Sequence, residues 1–213
     1  MRESEIEYAL AVIDFDEVLE RLQTLFSLPL FRRGMTHVRD MYLDTDNFLL
    51  YRKNCSFRVR LKLEDIYQGA QIRLTFKSPL EEHPYMLVRD ELKLKLMADD
   101  FGVVADFFGC ASFALTGRNF SYKLIVEETS NEALLGERGK ALNVSFDRVR
   151  FINPLNPENV VNETFFEIED HGIGEDMLLE IGKKLEEIYN LVPCKETKYR
   201  RGLRLLGLLG DKA

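Results

Sequence analysis

Ser56-Phe57-Arg58-Val59-Arg60-Leu61-Lys62-Leu63 alternates polar and apolar residues without a break. Successive side chains of an extended chain point to opposite faces, so this stretch is a strand with one apolar face and one face of Ser, Arg, Arg and Lys. The pattern recurs in Gln71-Ile72-Arg73-Leu74-Thr75-Phe76-Lys77, and again in Val88-Arg89-Asp90-Glu91-Leu92-Lys93-Leu94-Lys95-Leu96. A half-buried sheet ordinarily wets its charged face, which would put Arg58, Arg60, Lys77 and Arg89 on the outer surface.

The helices argue for a different placement. Asp14, with Glu17 three residues on, is a capping-box-like start for a helix through about Phe26, carrying Val18, Leu19, Leu22, Leu25 and Phe26 at helical spacing. A second helix is expected from Asp99-Asp100 to about Phe108, with Gly109 as its stop, and a third over residues 174–189, with Met177, Leu178, Ile181, Leu185 and Ile188 on one side. Three apolar stripes need sheet surface to cover. If they cover the apolar outside of a closed sheet, the charged faces are left with the lumen, and a barrel wide enough to hold a ligand is then lined by polar side chains.

Further strands are expected at 4–13, 36–43, 112–118, 121–127, 141–151 and 164–169. A turn falls at Asp44-Thr45-Asp46-Asn47, a short helix at 48–52, and a polar loop with Pro154 and Pro157 at 153–162. The class is α+β, with about eight mainly antiparallel strands and flanking helices. No linker rich in Gly, Ser or Pro divides the chain, so a single domain over residues 1–213 is expected.

Glu5-Ile6-Glu7 and Phe166-Glu167-Ile168-Glu169 each place two carboxylates on one face of a strand. One such pair alone reads as decoration of a solvent face. Four carboxylates turned inward together would repel unless a cation sat among them, and hard divalent ions such as Mg2+ prefer oxygen ligands. A lumen that sets Arg and Lys opposite Glu and Asp is tolerable only when filled by compensating charge. A polyphosphate with a divalent ion supplies both signs.

Composition narrows the alternatives. The chain has 213 residues, 46% of them hydrophobic, which is enough for a core. No run of about 18 uncharged apolar residues occurs. The N-terminus passes directly into an acidic strand, so neither export nor membrane insertion is expected. Cys55, Cys110 and Cys194 are odd in number and lack a CxxC or nearby His pair, which indicates neither a disulfide framework nor a zinc site and fits a cytoplasmic protein. A net charge of -7 argues against general nucleic-acid binding. His37, His83 and His171 lack mutual spacing for a metal and read as structural or surface residues. Tyr85, Tyr122 and Tyr199 read as barrel-closing or helix-packing. The C-terminal stripe of Leu203, Leu205, Leu206, Leu208 and Leu209 either caps the same chain, the preferred reading, or forms a dimer contact.

In this light the sequence resembles the CYTH domains, or triphosphate tunnel metalloenzymes, which include class IV adenylate cyclases, thiamine triphosphatases and inorganic triphosphatases. The matching segments, in the family's order, are Glu5-Ile6-Glu7, Tyr42-Leu43-Asp44-Thr45, Ser56-Phe57-Arg58-Val59-Arg60, Arg73-Leu74-Thr75-Phe76-Lys77-Ser78-Pro79, Arg89-Asp90-Glu91, Phe146-Asp147-Arg148, Phe166-Glu167-Ile168-Glu169 and Thr197-Lys198-Tyr199. The resemblance implies an eight-stranded antiparallel closed β-barrel, or tunnel, that binds a triphosphate-containing small molecule with Mg2+ or Mn2+. By position it implies Glu5, Glu7, Glu167 and Glu169 as metal-binding acids, with Asp147 as a further metal or water-positioning residue. Arg58, Arg60, Lys77, Arg89, Arg118 and Lys198 are implied as triphosphate ligands, although Thr116 stands where the family's Lys-x-Arg has its lysine. Dimerisation is a family habit, so a homodimer is also implied.

Two departures qualify the expectation. The family signature ExExK has Ala9 in the lysine position, and in the family that lysine assists the attacking water. Glu3-Ser4-Glu5 offers a second ExE register, which leaves the register open, although the aliphatic residue between the glutamates favours Glu5 and Glu7. The His-Phe-rich signature of class IV cyclases is also missing. The expected function is metal-dependent hydrolysis of a linear triphosphate, with adenylate cyclisation and non-catalytic polyphosphate or nucleotide binding as alternatives.

Overall fold

β1 (Arg2–Ala9) pairs with β5 (Leu87–Met97) on one side and β8 (Asn156–His171) on the other, and this double pairing closes the sheet. With β2 (Leu30–Thr45), β3 (Ser56–Lys62), β4 (Gln71–Glu82), β6 (Phe120–Glu137) and β7 (Lys140–Asn153), the order round the barrel is β1-β5-β4-β3-β2-β6-β7-β8. Every pairing is antiparallel. The expected closed eight-stranded antiparallel barrel is therefore observed. The computed structural model describes residues 1–62, 71–97 and 120–209. The helix expected from Asp99, the strand expected at 112–118, Arg118 and Cys110 lie outside them. Among the described residues no helix is long and apolar enough to cross a membrane.

Among the described residues four helices accompany the barrel: α1 (Phe15–Phe26), α2 (Leu49–Arg52), α3 (Glu175–Tyr189) and α4 (Lys198–Leu205). The Asp14 carboxylate accepts from the backbone N–H groups of Asp16 and Glu17, which fixes the start of α1 where the sequence placed it. α1 and α3 lie against the outside of the sheet. Val18, Leu19 and Leu22 of α1, with Leu178, Ile181 and Leu185 of α3, share one core with Ile6, Tyr8, Val144, Phe166 and Ile168 of the strands. α3 approaches β1 closely because residue 182 is glycine. A Cβ there would come within 2.5 Å of Ile6 Cδ1, and Tyr8 donates its hydroxyl to the Gly182 carbonyl at 3.1 Å.

α4 belongs to the inside. Its Tyr199 and Leu203 pack with Tyr42, Leu124, Val126, Val149, Phe151 and Phe165, which project from the same strand faces as Asp40, Glu128, Asp147 and Glu167. The helix thus plugs one end of the barrel, as the same-chain reading of the C-terminal leucines anticipated. The Asp44 carboxylate, fully buried, accepts from the Leu50 and Tyr51 amides and from the Tyr199 hydroxyl, each at 2.9 Å, and so ties α2 and α4 to the end of β2. The Tyr199 ring stacks on Tyr42 at 5.1 Å.

Several strand boundaries differ from expectation. β1 stops at Ala9, where Leu10 turns to a φ of 57°. β2 begins six residues before the expected 36, and β6 continues to Glu137, where it meets Lys140 across a hairpin turn at Arg138-Gly139. The expected loop at 153–162 is mostly strand. The chain turns between Asn153 and Asn156, and Val160, Val161 and Asn162 pair with Ile152, Phe151 and Arg150. Pro157 falls within the register shift after Ile152, where the ladder requires no N–H from it.

Candidate functional site

The inward residues of each strand run from the plug toward the opposite end. On β3 they are Ser56, Arg58, Arg60 and Lys62; on β4, Lys77, Thr75 and Arg73; on β5, Arg89, Glu91 and Lys93; on β8, Glu167, Glu169 and His171. They enclose a cavity of about 260 Å³. Exposure rises along it, from 1% at Asp40 beside the plug to 43% at Lys93 and 40% at His171. The tunnel is blind at α4 and open at the other end.

Register brings the two ExE pairs together. Glu5 lies opposite Glu169 and Glu7 opposite Glu167, on neighbouring strands. Glu3, the other candidate for the pair, sits opposite Arg89, and its carboxylate is held by Lys77 at 2.6 Å and Arg89 at 3.2 Å. The Glu5–Glu7 register is the one that faces β8. Glu5 is paired with Arg89 and lies 4.0 Å from Lys77. On β7 the Asp147 carboxylate accepts from Lys198 Nζ at 2.6 Å, and the same ammonium lies 3.0 Å from Glu128, 3.2 Å from Glu167 and 3.9 Å from Glu7. Glu169 meets His171 at 3.2 Å.

The basic residues anticipated from the alternating strands point inward as well. Asp40 receives Arg58 at 2.9 Å and Arg60 at 2.7 and 2.8 Å. Arg58, Arg60, Lys77, Arg89 and Lys198 therefore all line the tunnel, with Glu5, Glu7, Asp147, Glu167 and Glu169. Sequence reasoning did not single out Asp40, Glu128, Arg73 or the inward Lys62 and Glu91 as site residues. His171 stands at the tunnel mouth, whereas His83 serves a turn by accepting the Tyr85 and Met86 amides at 3.1 Å. Cys55 and Cys194 are free and half-buried.

The buried part of the tunnel is unbalanced in charge. Counting inward from the mouth, the acids are Glu3, Glu5, Glu7, Glu91, Glu128, Asp147, Glu167 and Glu169, with Asp40 behind the two arginines. The cations of comparable burial are Arg58, Arg60, Lys62, Arg73, Lys77, Arg89 and Lys198, so nine acids face seven bases. Acids crowded in a desolvated space are costly to ionise, and it shows in their titration. Burial, with the neighbouring Glu167 charge, pushes Glu5 up to about 7 against the opposing pull of Arg89. Burial likewise raises Asp147 to about 6 and Glu7 well above the carboxylate range, although Lys198 acts against both shifts. Glu3 and Glu128 go the other way: burial raises them, but their lysine and arginine neighbours outweigh it and hold both at about 2.

This arrangement suits divalent cations in charge and in donor type. Acids outnumber bases, all the donors are hard oxygens, and Glu7 Oε1 and Asp147 Oδ1 are buried without a hydrogen-bond partner. Among the described residues no three acids converge closely enough to hold a metal as they stand. The Lys198 ammonium occupies the space between them. Ala9, where the family pattern has lysine, lies opposite Phe165 and packs against the plug, so its surroundings are apolar. The cation nearest Glu7 and Glu167 comes instead from α4.

The fold has solved counterparts. A Pyrococcus horikoshii protein is 19% identical, with 95% of this chain and 98% of that one covered and a TM-score of 0.56. A candidate adenylate cyclase from Bacillus halodurans is 17% identical, with coverage of 94% and 97% and a TM-score of 0.54. A Hippeastrum protein, an adenylyl cyclase candidate described as having a dominant triphosphatase activity, is 15% identical, with coverage of 99% and 98% and a TM-score of 0.56. At these identities the likeness is one of fold. No curated protein matches the sequence. The CYTH domain pattern itself matches residues 1–203, and with the closed barrel and its charged interior on view, the chain belongs to the CYTH domain family.

Proposed function

We propose that this protein is a divalent-metal-dependent phosphohydrolase acting on a linear triphosphate held in the tunnel. The observation that carries the reading is the composition of the lumen: buried acids that outnumber the bases, with guanidinium and ammonium groups interleaved among them. Glu5, Glu7, Glu167, Glu169 and Asp147 would hold Mg2+ or Mn2+, which would supply Lewis-acid stabilisation of the charge on the transferring phosphoryl group. Arg58 and Arg60, braced by Asp40, present planar forks to phosphate oxygens. Lys77 and Arg89, now on Glu3 and Glu5, are the next cations along the same wall and would contact phosphate oxygens further along the chain. Lys198 reaches the acids from the plugged end and would neutralise charge on the innermost phosphate.

The missing His-Phe-rich signature of class IV cyclases favours hydrolysis over cyclisation. Ala9 leaves a second reading in view, a tunnel that binds polyphosphate or nucleotide without turning it over. The test is release of orthophosphate from tripolyphosphate, thiamine triphosphate and ATP, with magnesium or manganese and then with a chelator. Metal-dependent release supports the hydrolase. Cyclic AMP with pyrophosphate would identify a cyclase, and no turnover of any of the three by folded, metal-binding protein would leave only the binder.

A further inference from the structure

The open mouth of the tunnel carries a second set of cations, only one of which pairs with an acid of the tunnel among the described residues. Lys62, Arg73 and Lys93 lie on three adjacent strands, each two residues beyond Arg60, Thr75 and Glu91, and Arg33 joins them from β2. Two residues of strand are about 7 Å, so this rim lies well outside the layer of Arg58, Lys77 and Arg89. Lys93 meets Glu91 at 2.5 Å. Arg33, Lys62 and Arg73 have no carboxylate partner among the described residues, and Arg73 Nε is buried without a hydrogen bond. The acid at this level, Glu132, is engaged by the Thr36 hydroxyl at 2.8 Å.

Among the described residues the mouth carries Arg33, Lys62, Arg73 and Lys93 against Glu132. Nor, among the described residues, does it offer an aromatic surface for a base or a thiazole ring. The tyrosines lining the tunnel among the described residues, Tyr42 and Tyr199, stack on each other at the plugged end. A nucleoside triphosphate with its phosphates inside would leave a neutral base among these cations. A linear chain of phosphates would continue to meet positive charge as it emerged.

Resting on the hydrolase reading of the inner tunnel, we propose that Arg33, Lys62, Arg73 and Lys93 form an outer anion subsite for phosphate groups beyond the third. The substrate class is then linear inorganic polyphosphate of four or more units, with nucleoside and thiamine triphosphates disfavoured. The subsite adds charge contacts that tripolyphosphate cannot reach, and contacts of this partly exposed kind together give about a tenfold gain in affinity that salt weakens.

The test compares tripolyphosphate, hexapolyphosphate and ATP by calorimetry in magnesium-containing buffer, under conditions where phosphate release is undetectable, for the wild type and for a variant combining Lys62→Ala, Arg73→Ala and Lys93→Ala. The wild type should bind hexapolyphosphate about tenfold more tightly than tripolyphosphate, and ATP no more tightly than tripolyphosphate. The variant should lose most of the length preference while its tripolyphosphate affinity changes by less than about threefold, and thermal melting checks that it is folded. Equal affinity for the two chain lengths in the wild type, an equal loss for both in the variant, or a preference for ATP would overturn the outer subsite and leave the inner-site reading standing. Failure of the wild type to bind any of the three ligands would sink both.

Discussion

Replacing Lys198 by methionine tests whether one buried ammonium holds the acidic end of the tunnel together. The side chain is 11% exposed and lies within 4 Å of Asp147, Glu128, Glu167 and Glu7. Methionine keeps much of the volume and removes the charge. Taking one partner from a buried ionic cluster costs about 3–5 kcal/mol, because the remaining charges stay desolvated and uncompensated. In a chain of 213 residues a loss of that size should lower the melting temperature by roughly 6–20 °C in metal-free buffer at pH 7. Manganese should then protect the variant more than the wild type, since it no longer competes with the ammonium for the same carboxylates. A ligand at a hundred times its Kd contributes about 2.7 kcal/mol. Differential scanning calorimetry with chelator, then with manganese alone, measures both quantities. A variant that melts within about 2 °C of the wild type in chelator, or one that manganese protects no more than it protects the wild type, would refute the reasoning.

In metal-free protein the raised acids set the pH dependence. Glu5 at about 7 and Asp147 at about 6 bind protons in the folded state that the unfolded chain has released, so stability should fall as pH rises from 5 through 7, by up to about 1.4 kcal/mol per unit for each group. Magnesium should flatten that slope, and a melting temperature that rises over this range in chelator would contradict the assignment. Gly202→Ala should destabilise by about 1–3 kcal/mol, because a Cβ there would lie 2.6 Å from both Leu124 and Phe151 and push α4 from its seat; urea denaturation reads the loss. Ala9→Lys places an ammonium against the apolar plug beside Phe165, so it should lower the melting temperature and leave phosphate release no higher than in the wild type; a clear rise in release would show that the missing lysine, not the setting of Lys198, limits the reaction.

What could be read from the sequence depended on how uniform each strand's two faces are. β3 and β4 line the tunnel with polar groups along their length and turn an apolar face outward, so their period of two survives, and in β5 only Asp90 interrupts it. β6 does not. Its inner face is Leu124 and Val126 beside the plug, then Glu128, Ser130 and Glu132 along the tunnel, while Glu127 on its outer face pairs with Arg39 and Arg150. Polarity there follows depth in the barrel, and no alternation remains to mark Glu128 as inward. Asp40 was hidden in the same way: its chain neighbour Arg39 is charged and exposed, and nothing local says which of the two faces the lumen. The paired ExE motifs were legible because an isoleucine separates the glutamates in both, and Ile6 and Ile168 are fully buried under α1 and α3.

The plug shows the converse case, a pattern that was present but masked. Tyr199, Gly202, Leu203 and Leu206 follow the i, i+3, i+4, i+7 spacing of a buried helical face. A glycine at its centre and a length of only eight residues obscure it, whereas the basic residues at 200, 201 and 204 lie off that face and sharpen it. Gly202 belongs to the barrel interior, because two core side chains leave no room for a Cβ, and so does Lys198, whose ammonium four carboxylates surround. The glycine that weakens the local helix signal is thus the residue that lets the helix sit inside a closed sheet.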